Sequence, residues 1–193
     1  MTDFDKIHIV QLHSEEEFHP YLASFASAYK AVFSSPPYNE DFSLTEAQQV
    51  AEFHVNCRDH VTFLALTSQE EVIGFGLGSS MRNYPEISRQ IRGLLPPKYT
   101  HYFAELGVVP GFRHQGLGRK LANAYIETLP PDVFHHIVMR ISAIPDPGFE
   151  MFKQMGFEDI GVYTEITAKR IDGSINNDRR LFLSRLVKPN DHA

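Results

Sequence analysis

The sequence predicts a single mixed α/β (α+β) domain, with a mostly antiparallel central sheet of about seven strands flanked by helices. Three observations predict it. The chain has 193 residues, 42% of them hydrophobic, which suits one ordinary core. Segments alternating with a period of two are interleaved with segments of helical period. Strands read as antiparallel come first, and one strand–helix–strand crossover sits in the middle.

Taken in order, Lys6 to Leu12 (KIHIVQL) alternates apolar and polar residues as a half-buried strand does. Ser14, followed by Glu15, Glu16 and Glu17, is a capped helix start with acids at the positive end of the dipole. Phe18, Tyr21, Leu22, Phe25, Ala28, Tyr29 and Val32 continue it at helical spacing, and Pro36-Pro37 stops it. Tyr38 to Asp41 reads as a loop. A second helix is expected from Thr45, as its cap, to about Cys57. Val61–Thr67 and Val72–Met81 form a hairpin around Ser68 to Glu71. Gly74, Gly76 and Gly78 leave one face of its second strand bare, where another backbone or a ligand could approach. Arg82 to Thr100 reads as an insertion between the third and fourth strands. It carries an amphipathic piece (Ile87, Ile91, Leu94, Leu95) and four basic residues, Arg82, Arg89, Arg92 and Lys98, against Glu86 alone. The remaining strands are His101–Val109, His136–Ser142, Phe157–Ile166 and Arg180–Val187, with helices at Leu117–Leu129 and Pro147–Met155.

Composition removes several classes of function. The 24 Asp+Glu against 18 Lys+Arg give a net charge of −6, which speaks against a nucleic-acid backbone binder and suits an amine substrate. The single cysteine, Cys57, leaves no disulfide framework and no thiolate metal cluster. No uncharged apolar run approaches the ~18 residues of a membrane span. Met1 to Lys6 lacks the basic-then-apolar pattern of a leader, so a cytoplasmic protein is expected. No metal is expected. His54-x-x-Cys57-x-x-His60 would spread its ligands around a helix, and the adjacent His135 and His136 point to opposite faces of a strand.

The stretch Glu105 to Leu121, ELGVVPGFRHQGLGRKL, carries the most chemistry. A strand runs into a glycine-bearing turn and then a helix, so unpaired amides at the helix start converge and the dipole favours an anion. Gly116 and Gly118 remove Cβ atoms where a phosphate could touch the backbone, and Arg113, Arg119 and Lys120 add charge. The turn lacks the Gly-Lys-Ser/Thr of a P-loop and the three-glycine dinucleotide fingerprint.

Leu106-x-Val108-x-Pro110-x-x-Arg113-x-x-Gly116-x-Gly118 resembles the acetyl-CoA signature of the GCN5-related N-acetyltransferases (GNAT). Met151-Phe152-Lys153-Gln154-Met155-Gly156-Phe157 resembles the family's Leu-Tyr-x-x-x-Gly-Phe, and the element order matches over residues 6–187. The resemblance implies one acetyltransferase domain over 1–193, with a V-shaped splay between the fourth and fifth strands. It implies acetyl-CoA as co-substrate, its pyrophosphate on the amides of Arg113, His114, Gln115, Gly116, Leu117, Gly118 and Arg119. Backbone groups of Leu106 and Val108 would pair with the pantetheine arm, and Phe152 would pack on it.

Acetyl transfer needs a base for the amine and a donor for the departing thiolate. Glu105 is the candidate base, the alternative being a carboxylate that faces solvent or pairs with an arginine. His101, four residues upstream and expected on the same face, is either its relay or a plain strand histidine. The family's tyrosine donor is replaced by Phe152, which leaves Ser142 or Tyr163 as acid candidates, or water. The upstream asparagine of that motif is replaced by Pro145-Asp146. Tyr38, Asn39, Glu40 and Asp41 fall where the family lines its acceptor site. The expected acceptor is a primary amine on a small molecule. A protein lysine or N-terminal acceptor and a non-catalytic acyl-CoA-binding module are the alternatives. The insertion is read as a lid on the acceptor side, its basic residues meeting an acceptor carboxylate or phosphate, or as a homodimer contact through its apolar residues.

Overall fold

The computed structural model of the chain describes residues 7–144 and 146–187, so the readings that involve residues 1–6 and Pro145 lie outside the described residues. Seven strands form one sheet: β1 (His8–Leu12), β2 (Val61–Leu66), β3 (Val72–Ser80), β4 (Thr100–Val108), β5 (His136–Ser142), β6 (Glu158–Lys169) and β7 (Ile175–Leu186). Their order is β1-β2-β3-β4-β5-β7-β6, and only the β4–β5 pair is parallel. No helix of the described residues is long and apolar enough to cross a membrane.

The first helix is not continuous. Ser14 caps α1 (Glu15–Phe18), accepting from the Glu17 amide, but Pro20 lacks an N–H and the chain tightens into a 3₁₀ turn at His19–Tyr21 before α2 (Leu22–Phe33). The cap of α3 (Leu44–Val55) is Ser43, not Thr45: Ser43 Oγ accepts from the Glu46 amide at 3.1 Å and Glu46 reaches back to the Ser43 amide at 2.8 Å. The Ser-x-x-Glu spacing of a capping box was there to be read. β6 and β7 run 12 residues each, well past the apolar segments that suggested them.

The two faces of the sheet are packed differently. On one lies α5 (Leu117–Glu127), whose Leu121 and Tyr125 are fully buried against Phe103, Ile137 and Met139. Burying such a side chain contributes ~1.5–3 kcal/mol. The bare glycine face of β3 turns toward this helix. A Cβ at Gly78 would stand 2.1 Å from the Tyr102 carbonyl oxygen and 2.2 Å from the Tyr125 hydroxyl, and one at Gly74 would stand 2.9 Å from Leu121 Cδ1. Helix packing, not a ligand, fills that face. On the other face α2 and α3 cover Leu64, Leu66, Phe75 and Leu77. Beside them the insertion folds through α4 (Pro85–Gln90) and buries Ile91 with Met81, Tyr102, Val138 and Phe182. Ile91 is thus a core residue and cannot serve as a surface contact; of the four apolar positions only Leu94 is exposed.

Candidate active site

The site begins at a bulge in β4. Leu77 of β3 pairs with Glu105, yet its neighbour Gly78 pairs with Phe103, so Ala104 is an extra residue. One extra residue exchanges the faces of everything that follows. Before it, Phe103 stacks on Tyr125 of α5 with ring centroids 3.9 Å apart. After it, Gly107 lies over Phe75 on the α2 face, where a Cβ would come within 2.3 Å of the ring. Glu105 lies on that face with it. The expectation that His101 and Glu105 share a face is therefore corrected. His101 is buried toward α5, its Nε2 3.0 Å from the Asp59 carbonyl and its Nδ1 3.1 Å from the Tyr125 hydroxyl. Burial pushes it down to about 4, so it is a neutral, satisfied core histidine and not a relay.

Past the bulge β4 and β5 part. Their pairing covers only Thr100 to Phe103 against His136 to Met139. The Val109 amide bonds the Ile73 carbonyl at 2.9 Å, which sets the alternation: Glu105 and Gly107 bond to β3, while Leu106 and Val108 turn their backbone groups into the gap. The Val108 carbonyl is already taken by Arg113 Nε at 2.9 Å. An extended, amide-bearing arm lying in the gap would meet the groups of Leu106 and the amide of Val108.

The turn after β4 is built for an anion. His114 and Gly116 have φ of 62° and 79°, and left-handed Gly116 is the N-cap of α5. The first capping bond runs from the Lys120 amide to the Gly116 carbonyl at 3.0 Å, so the amides of Leu117, Gly118 and Arg119 have no acceptor within the helix. Gly116 supplies the conformation, whereas Gly118 supplies clearance: a Cβ there would meet nothing closer than Val108 Cγ2 at 3.7 Å. His114 and Gln115 are exposed, the Leu117 side chain is in the core, and Arg119 bonds Gln154 Oε1 at 2.6 Å. These residues fit a phosphate-bearing co-substrate. Arg113 does not join them: its amide is taken by the Pro110 carbonyl at 3.3 Å, and its side chain points away. It turns to the end of α2, donating to the Val32 and Pro36 carbonyls at 3.2 and 3.1 Å and to Ser35 Oγ at 2.8 Å. There it neutralises a helix C-terminus.

The gap opens on the α2 face into a cavity of about 420 Å³ whose wall includes Glu105. Desolvation raises the Glu105 carboxyl to about 7, opposed by the nearby Arg140 guanidinium, and the Tyr29 hydroxyl bonds to it. Burial likewise raises the hydroxyls of Tyr38 and Tyr102 to about 12, and that of Tyr84 further still, so all three stay protonated donors. Glu40 and Arg180 form a buried pair at 2.7 Å, with the Glu40 carboxyl raised because desolvation outweighs that partner. One wall is stitched together. The Asp41 amide bonds the Lys169 carbonyl at 2.8 Å and the Ile171 amide bonds the Asn39 carbonyl at 3.0 Å. The loop carrying Tyr38 and Glu40 is thereby tied to the hairpin carrying Ile166 and Arg180. Phe152, in α6 (Pro147–Gln154), is buried edge-on against Phe103 and Phe157 and reaches the cavity with an unreactive ring.

Other candidates stand elsewhere. Tyr163 is 57% exposed on β6 beneath the Arg179 guanidinium, outside the cavity wall. Ser142 Oγ accepts from the Ile144 amide at 3.2 Å and is also outside it. From the insertion, Tyr84 and Ile87 reach the wall, but Arg82, Arg89, Arg92 and Lys98 do not. The arginines lining it are Arg140 and Arg180, which nothing in the sequence marks as site residues, and Tyr29 and Tyr102 line it with them. His54 lines it too, its Nδ1 2.8 Å from the Val50 carbonyl. Among the described residues no group of three His, Cys, Asp or Glu could hold a metal.

The sequence matches the family model described as acetyltransferase (GNAT) family over residues 21–157. No curated protein sequence matches it. Solved structures share its fold at low identity. The ribosomal-protein-S18-alanine N-acetyltransferase of Escherichia coli aligns with a TM-score of 0.64 at 12% identity, over 97% of this chain and 99% of that one. The ribosomal-protein-alanine N-acetyltransferase of Brucella melitensis gives 0.64 at 17%, over 92% and 99%. Arabidopsis thaliana NAA60 in complex with acetyl-CoA gives 0.59 at 19%, over 94% and 99%.

Proposed function

Because the chain belongs to the acetyltransferase (GNAT) family, it is an acetyl-CoA-dependent N-acetyltransferase, and we propose that it acetylates a primary amine on a small molecule directly, with Glu105 as general base. Acetyl-CoA supplies the thioester from which the acetyl group is transferred. The amides of His114 to Arg119 hold its pyrophosphate, and Leu106 and Val108 hold its arm along the gap. Glu105 lies where that gap opens into the cavity. Poised near neutrality, its carboxylate takes the proton of the attacking amine as the C–N bond forms and the C–S bond breaks. The thiolate takes its proton from water or a wall tyrosine, since Phe152 has none to give.

The observation that carries the small-molecule reading is the stitched wall of the cavity. Backbone bonds joining Asn39 and Asp41 to the β6–β7 hairpin bridge one side of the cavity, and a bridged, narrowed opening supports a small acceptor. The test is thiol release from acetyl-CoA over amino acids, polyamines, aminoglycosides and peptides. Turnover of a small amine is expected. Turnover of peptides alone overturns the acceptor class, and CoA binding with no turnover of any amine overturns transfer itself.

A further inference from the structure

We propose that the acceptor carries a carboxylate beside its amine, and that Arg140, with Arg180 next to it, is the specificity determinant that binds that carboxylate. This rests on the acetyl-transfer reading and names the class of acceptor within it.

The sheet register places the two arginines together. Arg140 of β5 pairs with Phe182 of β7, and Ser142 pairs with Arg180, so the two guanidinium-bearing residues are diagonal neighbours on one face. Both line the cavity that Glu105 also lines. Their electrostatic situations differ. Arg180 is buried and held by Glu40 Oε1 at 2.7 Å and Asp178 Oδ2 at 3.4 Å, yet its Nε–H is buried with no acceptor. Arg140 bonds the Tyr102 hydroxyl, but among the described residues no carboxylate comes within 4.0 Å of it. Two like charges side by side repel. The Arg180 Nε–H is closed off even from water, so the group a ligand meets is Arg140, and an anionic oxygen pair bound there offsets the repulsion. An amine then reaches Glu105 on the adjacent strand across the gap, whereas the second ammonium of a polyamine would meet two guanidiniums. A site that hydrogen-bonds a substrate group rejects the analogue lacking it far more strongly than an apolar pocket does.

The experiment compares amino acids with the amines left when their carboxylate is removed: phenylalanine with phenethylamine, and lysine with cadaverine. Thiol release at saturating acetyl-CoA gives kcat/KM for each, in the wild type and in Arg140→Met and Arg140→Gln, with CoA binding measured to show that each variant is folded. The wild type should favour the acid of at least one pair ~100-fold, and both variants should reduce that ratio at least tenfold through KM. A wild type that turns over the amines and not the acids overturns the carboxylate assignment while acetyl transfer stands. A ratio unchanged in both variants shows Arg140 serving Glu105 alone and overturns it too. CoA binding without release from any member of either pair, or from the wider amine panel, overturns the transfer reading beneath it.

Discussion

The two halves of β4 carry an instructive contrast. From Thr100 to Phe103 the strand is paired on both edges, and its histidine, His101, is surrounded by fixed partners. From Ala104 to Val108 it is paired on one edge only, and its titratable residue, Glu105, faces a cavity. Both side chains are desolvated, and in both the neutral form is favoured: the histidine drops to about 4 and the carboxyl rises to about 7. Burial alone therefore does not mark a candidate base. What separates them is whether the backbone leaves room for a second molecule.

The largest test of that contrast is Glu105→Gln. Loss of a general base costs ~10²–10⁴ in rate, so acetyl transfer near neutral pH should fall ~100-fold or more. The wild-type pH profile should rise through an inflection near 7, and the variant should lack it, rising only as the amine itself deprotonates. An inflection that survives in the variant removes Glu105 from the mechanism. On the closed side, Gly78→Ala drives a Cβ into the Tyr102 carbonyl and the Tyr125 hydroxyl. Overpacking of that kind should cost about 3 kcal/mol, read as a fall in the denaturation midpoint.

A third test uses pH to compare stabilities. The Glu105 carboxyl titrates at about 7 in the folded protein and near its ordinary 4.5 when unfolded. Its contribution to stability is full below pH ~4.5 and lost as pH climbs through 7. Glu105→Gln cannot lose it, so the variant should gain about 2–3 kcal/mol on the wild type between pH 4.5 and pH 8 in paired melts. Gly118→Ala should separate clearance from folding. Its Cβ makes only ordinary contacts, so stability should hold within about 1 kcal/mol while acetyl-CoA affinity by calorimetry weakens about tenfold. The smallest effect is that of Tyr125→Phe, which leaves His101 Nδ1 without its donor. About 1 kcal/mol of stability should go, with turnover unchanged; a fall in turnover would return His101 to the mechanism.

Much of this was legible in the sequence. The strands at 61–66 and 136–142, the turn at 113–119 and the position of Glu105 follow from alternation, from glycine placement and from a resemblance that the family match bears out. What was not legible is one-residue bookkeeping. Nothing in Phe103-Ala104-Glu105 announces a bulge, yet that residue decides whether His101 can reach Glu105. Side-chain destinations were equally hidden: Arg113 sits in the anion motif but serves the end of α2. The cavity's cations come from strands read only as strands, where Arg140 and Arg180 lie 40 residues apart and meet through β5–β7 register. Tyr29 follows from helical spacing and lies in the core, but its hydroxyl also reaches the site.

An open sheet ordinarily has two edges, and this one has a third, running inside it along Leu106 and Val108. An unpaired edge usually invites another chain to add a strand, with aggregation as the hazard. Here the opening tapers to the paired apex at Phe103 and Met139, and its far wall is another strand of the same sheet. A foreign β-ribbon cannot zip along a wedge that narrows in this way, while an arm one chain wide can. Sticky backbone in such a wedge suits a slender flexible ligand better than the edge of a neighbouring sheet.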